Sequence, residues 1–128
     1  MNDALKPLRK YIQPKIGDNW ETIAAREFPG QPQDKVIDLG SGDGRAVIAA
    51  AKRGATARGI EFDENLVALS KANAAKEGVA DKATFERADI FATEFSDASV
   101  VVLFLLPDLN IKLRPSILNM KPGTRVVS

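Results

Sequence analysis

The sequence predicts an α/β protein with a doubly wound, mostly parallel sheet of five strands. Short apolar runs alternate with helix-forming stretches from residue 35 onward, and this alternation is typical of parallel sheets with right-handed crossovers. The first apolar run ends in an acidic residue followed by alternating glycines, which places a tight turn between a strand and a helix. The 128 residues suffice for one domain with a single core.

The first 34 residues are predicted to form a helical segment that precedes the sheet domain, residues 35–128. The tetrapeptide Asp18-Asn19-Trp20-Glu21 matches a capping box, in which an Asp caps the helix and a Glu three positions later reaches back. A helix through Ile23 to Arg26 is therefore expected. The stretch from Phe28 to Pro32 contains two prolines and a glycine, which end that helix.

Five strands and three helices are predicted within the sheet domain. The first strand is mostly apolar, as expected of a strand buried on both faces, and later boundaries follow from Gly78 and from the turn Pro122-Gly123. The predicted strands are Lys35–Leu39, Thr56–Glu61, Thr84–Ala88, Ser99–Leu106 and Thr124–Val127. The predicted helices are Arg45–Lys52, Glu64–Lys76 and Leu109–Met120, with a break or new start at Pro115. Because the last strand is apolar and lies at an edge, pairing with a second chain, as a dimer or a domain swap, is expected.

Composition restricts the chemistry that the chain can perform. The chain contains no cysteine and no histidine, which excludes disulfides, thiolate nucleophiles, histidine-based triads and the usual zinc sites, and no metal is predicted. A net charge of +1 argues against a strong nucleic-acid field. The longest apolar run, residues 100–107, is too short to cross a bilayer and residues 1–10 lack a signal-peptide core, so the cytoplasm is the expected compartment.

The turn after the first strand, Asp38-Leu39-Gly40-Ser41-Gly42-Asp43-Gly44-Arg45, indicates a nucleoside cofactor. A dinucleotide fingerprint has a third glycine three positions after the second, and Arg45 stands there instead. Asp38 lies two residues before the glycines, where a carboxylate favours a cationic or hydrogen-bond-donating ligand over a pyrophosphate. S-adenosylmethionine (SAM), a sulfonium with an ammonium group, fits that charge.

Three acidic residues fall at the carboxyl ends of the predicted strands, where ligands of doubly wound sheets bind. They are Asp38, Glu61 and Asp89. Glu61 lies about 20 residues beyond the glycines, the spacing at which an acidic side chain meets ribose hydroxyls. Phe62 is positioned to cover one face of an adenine. Asp89 and Ile90 offer a carboxylate for the exocyclic amine and a backbone N–H for a ring nitrogen.

Each of these features also has a purely structural interpretation. A glycine-rich turn can be a plain tight connection, and an Asp such as Asp89 often caps a turn. An acidic residue at a strand end is often a helix cap, but Asp63 can serve as that cap and leave Glu61 for a ligand. The preceding Asp38 and the helix that follows favour the ligand interpretation of the glycine turn.

On these motifs the segment from Val36 to Ser128 resembles class I, Rossmann-like SAM-dependent methyltransferases. Within them it is similar to the small protein-lysine methyltransferases related to the ATP synthase c-subunit lysine methyltransferase. The resemblance is carried by the glycine turn and by Gly59-Ile60-Glu61, Ala88-Asp89-Ile90-Phe91, Leu103-Phe104-Leu105-Leu106-Pro107, Leu113-Arg114-Pro115 and Pro122-Gly123-Thr124-Arg125-Val126-Val127-Ser128.

The resemblance implies a role for each matching residue. Gly40, Ser41, Gly42 and Gly44 line the methionine moiety, Glu61 holds the ribose, Asp89 with Ile90 reads the adenine, and Leu105, Leu106 and Pro107 form the substrate slot. Two departures matter. Only Tyr11-Ile12-Gln13-Pro14 hints at the family's Tyr-Val-Pro-Thr-Pro stretch, and the final two antiparallel strands of the family's sheet are not predicted, so the chain is expected to be a truncated or minimal form.

The hypothesis that follows is SAM-dependent N-methylation of a protein lysine. An apolar slot after the fourth predicted strand would favour the neutral amine that the reaction needs. The alternatives are a nucleoside-cofactor-binding module without turnover and a small-molecule methyltransferase. An NAD-linked oxidoreductase is disfavoured, because Arg45 replaces the third glycine and no catalytic His, Cys or Tyr-x-x-x-Lys is present.

Overall fold

A parallel sheet with helices on both faces forms the centre of the molecule. The structure is a computed structural model that describes residues 9–12, 14–27, 34–105 and 107–128. The six strands follow the order β1-β6-β5-β2-β3-β4, and all neighbouring pairs are parallel. The elements are β1 (Arg9–Ile12), α1 (Trp20–Glu27), β2 (Lys35–Leu39), α2 (Arg45–Lys52), β3 (Thr56–Glu61), α3 (Glu64–Lys76), β4 (Ala83–Arg87), a 3₁₀ turn (Ile90–Ala92), β5 (Val100–Val102), α4 (Pro107–Leu118) and β6 (Thr124–Val127).

The strand order reverses at β2, which pairs with β3 on one side and with β5 on the other. In the register, Asp38 at the end of β2 stands opposite Gly59 of β3 and Val102 of β5. The carboxyl ends of these three strands therefore open onto one crevice, which is the usual ligand position in doubly wound sheets.

Both faces of the sheet are covered by apolar side chains. Val36 of β2 packs with α1 and α2 on one face, through residues such as Ile23 and Val47. Ile37 and Leu39 point to the other face, where α4 supplies Leu113 and Ile117 among others. Burying an aliphatic side chain of this size contributes roughly 1.5 to 3 kcal/mol, so the run of apolar residues in β2 is explained by burial from both sides.

Most of the strands and helices predicted from residue 35 onward are confirmed. The bounds of β2, α2, β3, α3 and β6 are those predicted, whereas β4 begins and ends one residue earlier and β5 is limited to Val100–Val102. The expected break at Pro115 is wrong: α4 continues through it, and the Asn119 N–H donates to the Pro115 carbonyl at 3.2 Å. Pro115 lies on the exposed side of α4, where water can satisfy the carbonyl that loses its N–H donor.

The predicted free edge at the last strand is wrong, because β1 covers it. Arg9 to Ile12 pair in parallel with Thr124 to Val127, so the N-terminal segment contributes a strand as well as a helix, and the sheet has six strands instead of five. Because β1 and β6 are far apart in sequence, no local sequence pattern predicts that they pair. The expected dimer or swap through this edge therefore loses its structural basis.

The start of α1 is capped one residue later than predicted. The Asn19 side chain accepts the Thr22 N–H at 2.9 Å, and the Thr22 hydroxyl oxygen accepts the Asn19 N–H at 2.9 Å. The Asp18 carboxylate instead accepts two hydrogen bonds from Arg26, at 2.8 and 2.9 Å. This guanidinium holds the pKa of Asp18 well below its usual range. The reciprocal cap and the ion pair together fix the first turn of α1.

Candidate functional site

The glycine turn between β2 and α2 is held against the end of β3. The N–H groups of Gly40 and Ser41 both donate to the Ile60 carbonyl, at 2.8 and 3.0 Å. Gly40, Gly42 and Gly44 have φ of +89°, +57° and +89°, a region that side chains with a Cβ rarely adopt. The backbone conformation is thus by itself a sufficient reason for glycine at these three positions.

The space around the glycines differs from one position to the next. A Cβ on Gly40 would lie 2.6 Å from Leu105 Cδ2, and one on Gly44 would lie 2.8 Å from Phe85 Cζ, whereas a Cβ on Gly42 would meet nothing within 4 Å. Two of the glycines therefore permit close packing, and the third faces open space where a ligand can approach the main chain.

Ser41 and Gly59 form a contact that the sequence analysis did not assign. A Cβ on Gly59 would lie 2.7 Å from Ser41 Oγ, so the absence of a side chain at Gly59 makes room for the glycine turn. The Ser41 hydroxyl is buried, and no described residue hydrogen-bonds to it. The Ser41 main chain is engaged as well, since its N–H donates to the Ile60 carbonyl and its carbonyl accepts the Gly44 N–H at 3.0 Å. An isolated glycine inside a strand is a known sign of close backbone approach, and that signal could have identified Gly59.

Glu61 connects the end of β3 to the glycine turn. Its Oε1 accepts the Gly42 N–H at 3.0 Å and its Oε2 accepts the Asp63 N–H at 3.0 Å. Asp63 itself caps α3, accepting the Asn65 N–H at 2.8 Å, as expected. A carboxylate accepts about four hydrogen bonds, so each oxygen of the half-buried Glu61 keeps capacity for one of two neighbouring hydroxyls.

Asp38 is a buried acid without a countercharge. The residue is only 5% exposed, and no described residue offers its carboxylate a hydrogen bond or a positive charge. Burial, with the nearby Glu61 carboxylate as a second cause, raises the pKa of Asp38 to about 8. Burying an ionised carboxylate costs free energy unless a cation binds beside it or a proton neutralises it. Such groups are typical of ligand sites.

Two side chains of α3 support the glycine turn on its α3 side, and neither was predicted from the sequence. The buried Ser70 hydroxyl lies 3.0 Å from the Gly42 carbonyl oxygen and 2.8 Å from that of Leu66, so its single proton is shared between these two acceptors. Asn73 Nδ2 donates to the Asp43 carbonyl at 3.1 Å. Their spacing of three positions puts them on one face of α3, which is the only signal that the sequence offers for them.

Asp89, Ile90 and Phe62 lie beside Glu61, at the ends of β3 and β4. The Ala88 N–H donates to the Glu61 carbonyl at 3.2 Å and so brings the next segment close. Asp89 Oδ1 accepts the Phe91 N–H at 2.8 Å, which shows that this acid caps the 3₁₀ turn. The Phe62 ring is 67% exposed, and the guanidinium carbon of Arg87 lies 5.4 Å from its centre.

The substrate slot predicted after the fourth strand of the domain is described in part. Leu105 is half-buried and lies over Gly40. Leu106 and the side chain of Pro107 lie outside the described residues. Phe104 is 50% exposed, and its ring contacts that of Trp20 edge to face, with 5.1 Å between the ring centres. Trp20 was not assigned to the site, because nothing in the local sequence links α1 to the end of β5.

A cavity also lies behind the glycine turn, at Asp43 and Asn73. It measures about 590 Å³ and lies over the outer side of α2, between α1 and α3. One of its two lysines, Lys52, pairs with Glu21 at 3.5 Å and with Glu77 at 3.0 Å. The described part of the chain contains no group of acidic residues that could hold a metal ion. None of its helices is long and apolar enough to cross a membrane.

Comparison with known proteins identifies the family. The model of the ANTKMT methyltransferase domain matches residues 38–128, from the end of β2 through β6. The chain belongs to the ANTKMT methyltransferase domain family. The resemblance drawn from the motifs is thereby confirmed, and the matched region of this methyltransferase domain contains the glycine turn and all three strand-end acids.

The relatives of this methyltransferase domain include lysine-modifying enzymes. A protein-lysine N-methyltransferase of Saccharolobus islandicus is 42% identical over 98 residues, which cover 74% of this chain and 61% of that protein. The ATP synthase c-subunit lysine N-methyltransferase of Homo sapiens is 46% identical over 78 residues, covering 61% of this chain and 34% of that protein. The chain thus spans only part of the length of these curated relatives.

A solved structure supports the fold. The crystal structure of an RNA methyltransferase from Salinibacter ruber in complex with S-adenosyl-L-homocysteine matches with a TM-score of 0.76 and 44% identity. The match covers 83% of this chain and 71% of that chain. The doubly wound, parallel architecture predicted from the sequence is therefore confirmed.

Proposed function

We propose that this chain carries the cofactor site of a SAM-dependent methyltransferase that acts on lysine side chains of proteins. The observation that carries the proposal is the pair of carboxylates at the strand ends. Asp38 is buried with no countercharge among the described residues, and Glu61 is fixed by two backbone N–H groups with acceptor capacity to spare. A cationic nucleoside satisfies both residues at once.

The described residues fit SAM part by part. Asp38 would face the positively charged methionine portion of SAM. The open space beside Gly42 would let that portion approach the main chain of the glycine turn. Glu61 would hold the ribose hydroxyls. Asp89 retains one carboxylate oxygen for an exocyclic amine, and the exposed ring of Phe62 can cover an adenine face.

Positioning would supply most of the catalysis. When bound, SAM provides a methyl group on a positively charged sulfur, whose bonding electrons leave with a neutral thioether. The glycine turn and Glu61 would orient the reacting centre, which is where much of the rate of a two-reactant step originates. The apolar side chain of Leu105, which lies over Gly40, would exclude water from the reacting centre and disfavour an ammonium over the neutral amine that reacts. The lysine ammonium would first give up its proton to solvent; the neutral amine then attacks the methyl carbon, and that displacement itself needs no acid or base.

Lysine is proposed as the acceptor because the curated relatives with similar sequences are protein-lysine methyltransferases. The RNA methyltransferase of Salinibacter ruber makes RNA the second candidate. A net charge of +1 favours the protein acceptor, because phosphate backbones are usually met by a strong positive field. The predicted cytoplasmic location stays a prediction.

The test combines binding with transfer. Calorimetry should detect SAM and S-adenosylhomocysteine binding to the purified chain. Incubation with methyl-labelled SAM and a lysate should yield label that resists ribonuclease, is lost on proteolysis, and is recovered as methyllysine after acid hydrolysis. Ribonuclease-sensitive label would favour the RNA acceptor. Binding without any transfer would favour a cofactor-binding module without turnover, and no binding at millimolar ligand would refute the proposal.

A further inference from the structure

A second, smaller cavity lies at the end of β5, beside the glycine turn. It has a volume of about 300 Å³ and is lined by Pro14, Asp18, Asn19, Trp20, Ile23 and Phe104. Phe104 precedes Leu105, whose side chain lies over Gly40. The cavity, here called the aromatic pocket, is therefore next to the place where the cofactor site begins.

The walls of the aromatic pocket are two rings from distant parts of the chain. Trp20 at the start of α1 and Phe104 at the end of β5 meet at an interplanar angle of 88°. Trp20 is half-buried and packs in part on the core, which fixes its position. Phe104 stays 50% exposed. A large aromatic side chain left exposed at the edge of a site is more typical of a ligand wall than of a core residue.

The polar residues of the aromatic pocket are already engaged. The Asp18 carboxylate accepts two hydrogen bonds from Arg26, and the Asn19 side chain caps α1. The lining contains no lysine or arginine among the described residues. A phosphate or carboxylate ligand would therefore find no positive partner here, and a planar amide would find few free donors or acceptors. An alkyl chain with a cationic end fits, because ring faces attract cations and apolar walls accept methylene groups.

We infer that the aromatic pocket binds the alkylammonium side chain of the acceptor, a lysine, with Trp20 and Phe104 as its positioning residues. This inference rests on the proposed function and specifies where the acceptor side chain enters. The methionine end of the cofactor is a poor occupant, since the described lining offers its carboxylate no positively charged partner.

Trp20 is the single tryptophan of the chain, so its fluorescence reports on this pocket. Nα-acetyl-lysine methylamide and its Nε-trimethyl derivative are titrated into the full chain with S-adenosylhomocysteine present. Nα-acetyl-glutamine methylamide, an uncharged analogue with a planar amide, is the control probe. Both lysine probes should change the emission with saturation and the glutamine probe should not. An equal response to all three probes, or none to any, would overturn the inference.

Variants of Phe104 test the wall that does not carry the reporter. Phe104→Leu should weaken binding of the trimethyl-lysine probe roughly three- to thirtyfold, as expected for a lost cation–π contact, while Phe104→Tyr should stay within about twofold of the parent protein. Leu69→Ala, which truncates an exposed leucine of α3, is the matched control and should change nothing. Thermal melts verify that each variant is folded.

Cofactor affinity separates this inference from the proposed function. Phe104→Leu should bind S-adenosylhomocysteine as the parent protein does. If it loses cofactor and probe affinity in equal measure, the pocket belongs to the cofactor and the inference is wrong. If the parent protein binds no S-adenosylhomocysteine yet Trp20 still responds to the lysine probes alone, the pocket stands and the proposed function fails.

Discussion

Glu61 accepts the Gly42 N–H at 3.0 Å, and this bond joins the end of β3 to the glycine turn that follows β2. The residue that is proposed to hold the ribose therefore also shapes the loop that contacts the rest of the cofactor. A substitution of Glu61 acts on both, so its effects on binding and on folding have to be measured separately.

Glu61→Gln is expected to weaken SAM binding about ten- to a hundredfold, because a charged acceptor of this kind contributes roughly 1.5 to 3 kcal/mol. Calorimetry measures the affinity and urea unfolding measures the accompanying loss of stability. The control is Glu64→Gln, an acid with a side chain 79% exposed, three positions along the chain. A dissociation constant within twofold of the parent value would remove Glu61 from the cofactor site.

Asp38 should make the ligand-free protein less stable as the pH rises. The folded pKa of about 8 exceeds the ordinary value of 3.8, so between these values the folded state binds more protons than the unfolded state. Stability is then greatest below about pH 4 for this group and falls through pH 8. Asp38→Asn should flatten this slope in urea unfolding at pH 5, 7 and 8.5. Asp97→Asn, at a side chain 70% exposed, should leave the slope as it is.

The same acid predicts proton release when SAM binds. A cation beside Asp38 favours the ionised carboxylate and lowers its pKa, so binding at pH 7 should release up to one proton. Titrations in phosphate and in Tris, which differ in ionisation enthalpy, should give different apparent binding enthalpies. In Asp38→Asn the two buffers should agree. Identical enthalpies for the parent protein in both buffers would contradict the prediction.

Ser70→Ala tests the support of the turn by α3. The variant loses the hydroxyl that donates to the Gly42 carbonyl at 3.0 Å, and we expect it to lose about 1 kcal/mol of stability. Its SAM affinity should fall severalfold because Gly42 is held less firmly. Ser116→Ala on the exposed side of α4 is the control. A loss of stability with unchanged affinity would limit Ser70 to a structural role.

The parts of the fold that local sequence determines could be predicted. The apolar run of β2, the Asp63 cap of α3 and the glycine after that helix each act within a few residues, and the corresponding bounds agree with the structure. Asp38 and Glu61 were predicted to lie at one site because the ends of neighbouring parallel strands meet. The register of β2 and β3 confirms that these two strands are neighbours, and the shared site stays a prediction.

The parts that depend on distant segments could not be predicted. β1 is a strand only because β6 accepts its hydrogen bonds, and its four residues carry no strong pattern of their own. The contact between Trp20 and Phe104 likewise depends on how α1 lies on the sheet. At the start of α1, Asp18 and Asn19 are both good caps, and the distant Arg26 decides between them by binding Asp18.

β1 pairs with β6, which is synthesised more than a hundred residues later. During synthesis β1 therefore stays unpaired until β6 has emerged from the ribosome. A nascent chain can assemble β2, β3 and β4 with their helices as it emerges, since each lies beside an element made shortly before or after it. The residues of β1 lack this partner until Thr124 to Val127 have emerged. Closure of that outer edge is thus a late event, set by the sequence separation of the two strands and not by the strength of their pairing.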